Sequence, residues 1–174
     1  MIALSTHSSP AAATHSVAAF TQRSGLELLR FAYLLCGDRH RAEDLLQEVL
    51  LAMYRRFGDE LPLDNPVGYA RRALVNANIS FARRASSREV VTDAIPDVAA
   101  LADDDPAQRD VLWRALRTLP TRQQTMLVLR FYADASDAEI AATIGCRRGT
   151  VRSLASRALA ALRTDPTISE GGAR

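Results

Sequence analysis

Lysine is missing altogether. All 22 basic side chains of this 174-residue chain are arginines, set against 20 acids for a net charge of +2. Arginine's planar fork suits phosphates, carboxylates and base edges where lysine offers only a point charge. No apolar run approaches the roughly 18 residues that a membrane-spanning helix needs, so a soluble chain is expected. Cysteine is scarce: Cys36 and Cys146 cannot build a disulfide scaffold, and both read as small core residues of a protein from a reducing, cytoplasmic compartment. The stretch from Met1 to Thr14 has neither a basic start nor a continuous apolar segment, so it reads as a disordered tail and not as a secretory signal. His7, His15 and His40 have no His or Cys neighbour at metal-ligand spacing. There is no phosphate-cradling glycine loop and no serine in a nucleophile elbow. Asp103 to Asp105 reads as a solvated charge run. These absences argue against an enzyme, and no catalytic residue, metal or cofactor is expected.

What is present is a helical pattern with a large apolar fraction, 48%, enough for a real core. Gly and Pro fall at few places, and between them the apolar spacing follows 3.6 rather than 2. A first helix is expected from Val17 to Cys36, ended by Gly37. A second runs from Arg39 to Phe57 and stops at Gly58. Its residues Ala42, Leu45, Leu46, Val49, Leu50, Met53 and Phe57 form one buried stripe. Asn65 and Pro66, a cap and a first-turn proline, open a third helix through about Arg84, with Ala70, Ala73, Leu74, Ala77 and Phe81 inward. Residues 85–106 hold little apolar surface and read as a flexible linker. Helices then resume from Pro106 to Leu119, which holds the only tryptophan, Trp113. They continue from a Thr121 cap to about Tyr132, from a Ser136 cap to Ile144, and from about Arg148 to Arg163. The last two, joined by a turn at Gly145, have the helix-turn-helix arrangement. The fold class expected is all-α, two small helical domains on a tether.

The near-neutral total conceals a division along the chain. Residues 1–88 carry 11 Arg against 8 acids, residues 89–110 carry 1 against 7, and residues 111–174 carry 10 against 5. Two basic blocks parted by an acidic one suit two nucleic-acid-facing modules, or else solvated helix faces on a solvated tether. In the last helix Val151, Leu154, Ala155, Ala158 and Leu162 take the inner face. That leaves Arg148, Arg152, Ser153, Ser156 and Arg157 outward, a short, basic face of the kind that enters a major groove. An ordinary surface helix with arginines near its C-terminal end would look similar. The third helix presents Arg72, Val75, Asn76, Ile79 and Arg83 on a second face, with Arg71 and Arg84 flanking. Arginines for the backbone and an amide for a base suit a single strand. Tyr69 and Phe81 are candidate stacking rings, although Phe81 lies on the apolar stripe and reads as core. In the second helix Asp44, Gln47, Glu48, Leu51 and Arg55 lie opposite the stripe, an acidic face with an exposed leucine that suits a protein partner or is merely solvated.

Four strings in order carry a resemblance: G-D-R-H-R-A-E-D-L-L-Q-E (Gly37 to Glu48), P-V-G-Y-A-R-R-A-L-V-N (Pro66 to Asn76), L-P-T-R-Q-Q (Leu119 to Gln124) and I-G-C-R-R-G-T-V-R-S (Ile144 to Ser153). The chain resembles the extracytoplasmic-function (group IV) sigma factors of bacterial RNA polymerase, within the sigma-70 superfamily, and among them the SigE-like group of actinobacteria. The resemblance covers about residues 17–163. It implies a tail at 1–16, sigma region 2 at 17–88, an acidic linker at 89–106 that passes through the polymerase cleft, a region 4 helix-turn-helix at 107–164 and a tail at 165–174. It further implies that Asp44, Gln47, Glu48 and Leu51 dock on the β′ clamp helices of core polymerase. Asn76 would receive a base flipped from the −10 element beside Tyr69, with Arg72, Arg83 and Arg84 on the melted strand. Arg148, Arg152, Ser153 and Arg157 would read the −35 duplex while region 4 packs on the β flap. The partners implied are core polymerase, promoter DNA and an anti-sigma factor, with the chain a monomer on polymerase.

Three departures from the family pattern bear on region 4. Arg147 stands where a capping Ser is usual, Leu154 and Ala155 stand where Arg and Leu are usual, and Ala135 replaces a common core Leu. Weaker or altered −35 recognition is the expectation. Two other readings remain open: a stand-alone helix-turn-helix regulator, and a sigma mimic that sequesters polymerase or an anti-sigma factor.

Overall fold

The computed structural model describes residues 15–86 and 115–164. The first lobe is three helices, α1 (Val17–Cys36), α2 (Arg39–Phe57) and α3 (Pro66–Ser86). Local chemistry sets each boundary. Ser16 caps α1 by accepting from the Ala19 amide at 3.0 Å, and Asp38 caps α2 through the Arg41 amide at 2.6 Å. Asn65 Oδ1 accepts from the Gly68 amide at 2.8 Å, closing the first turn of α3 behind Pro66. Gly37 ends α1 with φ of 71°, a left-handed conformation that a side chain resists, and its N–H returns to Tyr33 O. A two-residue antiparallel ladder, β1 (His15–Ser16) with β2 (Glu60–Leu61), ties the start of α1 to the loop after α2.

The second lobe holds a helical turn at 115–117, then α4 (Thr121–Phe131), α5 (Asp137–Ile144) and α6 (Arg148–Thr164). The cap of α5 is a full capping box: Ser136 accepts from the Glu139 amide while the Glu139 carboxylate accepts from the Ser136 N–H at 2.8 Å. Gly145, with φ of 65°, makes the turn into α6. Thr121 does not cap α4 as expected. Pro120 holds the N-cap position, its fixed φ directing the chain into the helix, and no side-chain bond is made there. The helix expected from Pro106 falls on described residues only from 115 onward; Trp113 and the acidic linker lie outside them.

The two lobes share one apolar core. Helix α4 is buried at six consecutive residues, Gln124 to Leu129, because α1 covers one side of it and α6 the other. Phe31 of α1 meets Tyr132 with ring centroids 6.2 Å apart, and Gly37 leaves room for the Arg117 side chain. The end of α1 explains the polar part of this contact. A helix's last four carbonyls have no amide within the helix. Here Gly37 N–H serves Tyr33 O, the Gln124 Nε2 amide donates to Leu34 O at 3.1 Å, and the Asn78 Nδ2 amide donates to Leu35 O at 3.0 Å. Both amide side chains are buried.

In α3 the inward face differs from the expected one. Val75 is fully buried with Ala70, Leu74 and Asn78, whereas Phe81 is 41% exposed. The helix is turned toward the Val75 and Asn78 side because Asn78 must reach the end of α1. Phe81 is left at the edge, where the Arg41 guanidinium stacks 3.6 Å above its ring. Cys36 and Cys146 are both partly buried against the core. Burial pushes the Cys36 thiol up to about 11.

Candidate nucleic-acid and partner interfaces

Three exposed helix faces carry the expected site residues. On α3, Arg72, Asn76, Arg83 and Arg84 are all exposed. The first three recur at helical spacing, so they stand on one side of the rod, opposite the buried Ala70 and Leu74, with the buried Val75 on the flank between. Tyr69 is half-buried, its ring set edge-on to Phe57 at 5.5 Å, so one side of the ring is spent on packing. Arg71, expected to flank this face, turns inward instead. It pairs with Glu27 and lies 5.7 Å from the Phe31 ring, which makes it a brace between α1 and α3.

Arg72 also borders a groove of about 310 Å³ between α3 and α5, whose other wall includes Ala135, Asp134 and Glu139. The small side chain of Ala135 helps leave this groove open. Glu139 is held below the usual carboxylate range by its bonds to the Ser136 hydroxyl and amide. It therefore stays ionised near neutral pH, on the wall of the groove that Arg72 also borders.

On α6, Arg148, Arg152, Ser153, Ser156 and Arg157 are exposed, while Val151, Leu154, Ala155 and Ala158 are buried. The core leucine has thus moved to position 154, as the departure from the family pattern suggested, and both 154 and 155 turn inward. The polar face is internally bonded. Ser153 Oγ donates to Thr150 O at 2.9 Å, and Arg157 donates to Ser153 O at 3.2 Å and to Ser153 Oγ at 3.4 Å. Arg152 Nε lies 3.4 Å from Asp137 Oδ2 at the start of α5. Without a capping Ser at 147, the first turn of α6 is closed by backbone bonds from Thr150 and Val151 to Arg147 O.

On α2, Asp44, Gln47, Glu48 and Leu51 are exposed, Leu51 at 48%, and Tyr54 beside them at 53%. An acidic strip with two large apolar side chains in water has no packing reason among the described residues, and such mixtures mark protein contacts. Among the described residues no group of three His, Cys, Asp or Glu side chains is placed to hold a metal, and no helix is long and apolar enough to cross a membrane.

A helix-turn-helix lobe with a basic outer helix, joined in one chain to a three-helix lobe bearing a second arginine face, defines a two-module nucleic-acid-binding class. The family models agree with both halves: sigma-70 region 2 matches residues 21–88 and sigma-70 region 4 matches residues 115–164. The RNA polymerase sigma-E factor of Streptomyces avermitilis is 36% identical over 141 residues, covering 79% of this chain and 78% of that protein. That of Streptomyces coelicolor is 34% identical over 148 residues, covering 84% of each. Among solved structures, the sigma factor RpoE of Bartonella quintana, crystallised with the anti-sigma factor NepR, aligns with a TM-score of 0.65 at 26% identity, over 83% of this chain and 94% of that one. The chain belongs to the sigma-70 family, as an alternative sigma factor for transcription initiation.

Sequence reasoning missed Asn78, Gln124 and Asp137. The two amides carried no signal, since polar residues in amphipathic helices usually face water. Asp137 stood in plain sight as a first-turn acid, but its second partner is 15 residues away on another helix.

Proposed function

We propose that the chain binds core RNA polymerase through the outer face of α2, with Asp44, Gln47, Glu48 and Leu51 in contact, and reads two promoter elements with its two lobes. Residues 17–88 act at the −10 element. Asn76 takes a flipped base, Tyr69 borders it with the free side of its ring, and Arg72, Arg83 and Arg84 hold the melted strand. Accepting that base offsets an unstacking cost of a few kcal/mol. Residues 107–164 act at the −35 duplex through Arg148, Arg152, Ser153 and Arg157 while packing on the β flap, and residues 89–106 tether the two. The chain works in the cytoplasm without catalysis of its own, and an anti-sigma factor is a further partner, as it is for the Bartonella protein in its crystal.

One observation carries this reading. Arginine-bearing faces are left exposed on both lobes of one chain, beside an acidic and apolar face on α2 that no part of the described chain covers. The test is a run-off assay with purified chain and core polymerase, and initiation at a defined start site is the expected result. Asn76→Ala should lower promoter opening and leave core binding intact. A footprint on duplex DNA without polymerase would favour the stand-alone regulator. Core binding without any specific start would favour a mimic.

A further inference from the structure

The carboxylate of Asp137, first residue of α5, lies between two guanidinium groups. One oxygen pairs with Arg130 of α4, and the other lies 3.4 Å from Arg152 Nε on α6. The three charges are unequally placed. Arg130 and Asp137 are largely sheltered, with side chains 29% and 28% exposed, while the Arg152 side chain is 81% exposed. A fixed carboxylate at the base of the recognition helix thus holds the inner nitrogen of an otherwise mobile arginine. We infer that Asp137 is a positioning residue for promoter specificity: it aims Arg152 at a base edge and keeps it off the phosphates.

Two physical effects support this, and both rest on the proposal that α6 reads the −35 duplex. With Nε bonded to Asp137 in a largely exposed side chain, the two terminal nitrogens of Arg152 make no bond among the described residues, and a pair of N–H donors in one plane is what O6 and N7 of guanine accept. The carboxylate's negative charge beside the guanidinium also disfavours a phosphate at the same place, since phosphate and Asp137 repel. Its neighbours on the face differ. Arg157 is folded back onto Ser153, and Arg148 has no bonded partner among the described residues, so neither has a carboxylate to direct it. The face is therefore divided, with Arg152 the base reader and Arg148 and Arg157 the phosphate contacts.

The test uses holoenzyme assembled from the full chain and core polymerase, with promoter fragments in which each base pair of the −35 element is varied in turn. The wild-type chain should prefer guanine at one position, and Arg152→Ala should erase that preference. Asp137→Asn, which keeps the shape but loses the charge, should weaken the same preference about tenfold, the order of one bidentate guanine contact. Binding to scrambled DNA should hold or rise in that variant. Asp137→Glu should restore the preference in part, whereas a merely structural role for Asp137 would change affinity at every position alike. If Arg152→Ala erases the preference and Asp137→Asn leaves it whole, the inference fails while the reading of α6 stands. If the wild-type holoenzyme shows no −35 preference, or Arg152→Ala changes none, the reading of α6 fails and takes the inference with it.

Discussion

Replacing Asn78 by leucine removes the buried amide that donates to Leu35 O at 3.0 Å and puts an apolar group of similar size in its place. The carbonyl it leaves is near the end of α1, where no helical amide can reach it, and Leu35 is 1% exposed, so water does not take over. An orphaned buried acceptor costs about 1–3 kcal/mol. Leucine's better helix propensity returns a few tenths of a kcal/mol. For a chain of this size each kcal/mol lowers the melting temperature by roughly 2–4 °C, so a fall of roughly 2–12 °C is expected in thermal denaturation followed by circular dichroism at 222 nm. The control is Asn76→Leu, two residues along the same helix but exposed, which should stay within about 0.5 kcal/mol of the parent. The reasoning is refuted if Asn78→Leu melts at or above the parent temperature, or if the two substitutions are indistinguishable.

Ser136→Ala removes the capping box of α5 and should cost about 1 kcal/mol at pH 7 in urea unfolding. Because Glu139 is held below its ordinary range by Ser136, the ionised carboxylate adds stability above that range and loses it as pH falls, so the gap between parent and variant should narrow in acid. Thr125 is fully buried and its hydroxyl has no hydrogen-bond partner among the described residues, so Thr125→Val should be neutral or raise stability by up to about 1 kcal/mol; a clear loss would show that the hydroxyl is bonded. Native Cys36 should resist iodoacetamide at pH 8 and react only as pH climbs toward about 11, which mass spectrometry of the labelled peptide would reveal.

The limits of α1 and α2 were legible because Gly37 and Gly58 stop them, and the start of α3 because Asn65 and Pro66 announce it; these are local signals read within one turn of chain. The capping box at Ser136 and the turn at Gly145 made the helix-turn-helix equally plain. The inward face of α3 was not, because Asn78 is drawn inside by a carbonyl 43 residues away and rotates Phe81 out to the edge. Gln124 answers a carbonyl 90 residues away, and no periodicity encodes such a pair. Of the site, the exposed faces of α2 and α6 followed from their apolar stripes. Arg71 did not, since its partner Glu27 lies on α1, and only the packing of α1 on α3 brings the two together.

The common core of the two lobes sets a mechanical condition on the proposed activity. Elements centred near −10 and −35 are about 25 base pairs apart, about 85 Å along B-form DNA. A compact body of about 120 residues has a radius of gyration of roughly 14 Å. While α4 lies against α1, one chain is too short to touch both elements, so the seam at Gln124, Phe31 and Tyr132 has to part when both are engaged. Parting uncovers Leu34, Leu127 and Val128 to water, and the free energy of docking on polymerase and promoter must exceed that penalty. The strength of the seam therefore acts as a threshold: substitutions that loosen it should let weaker promoters through, and substitutions that tighten it should restrict the chain to its best ones.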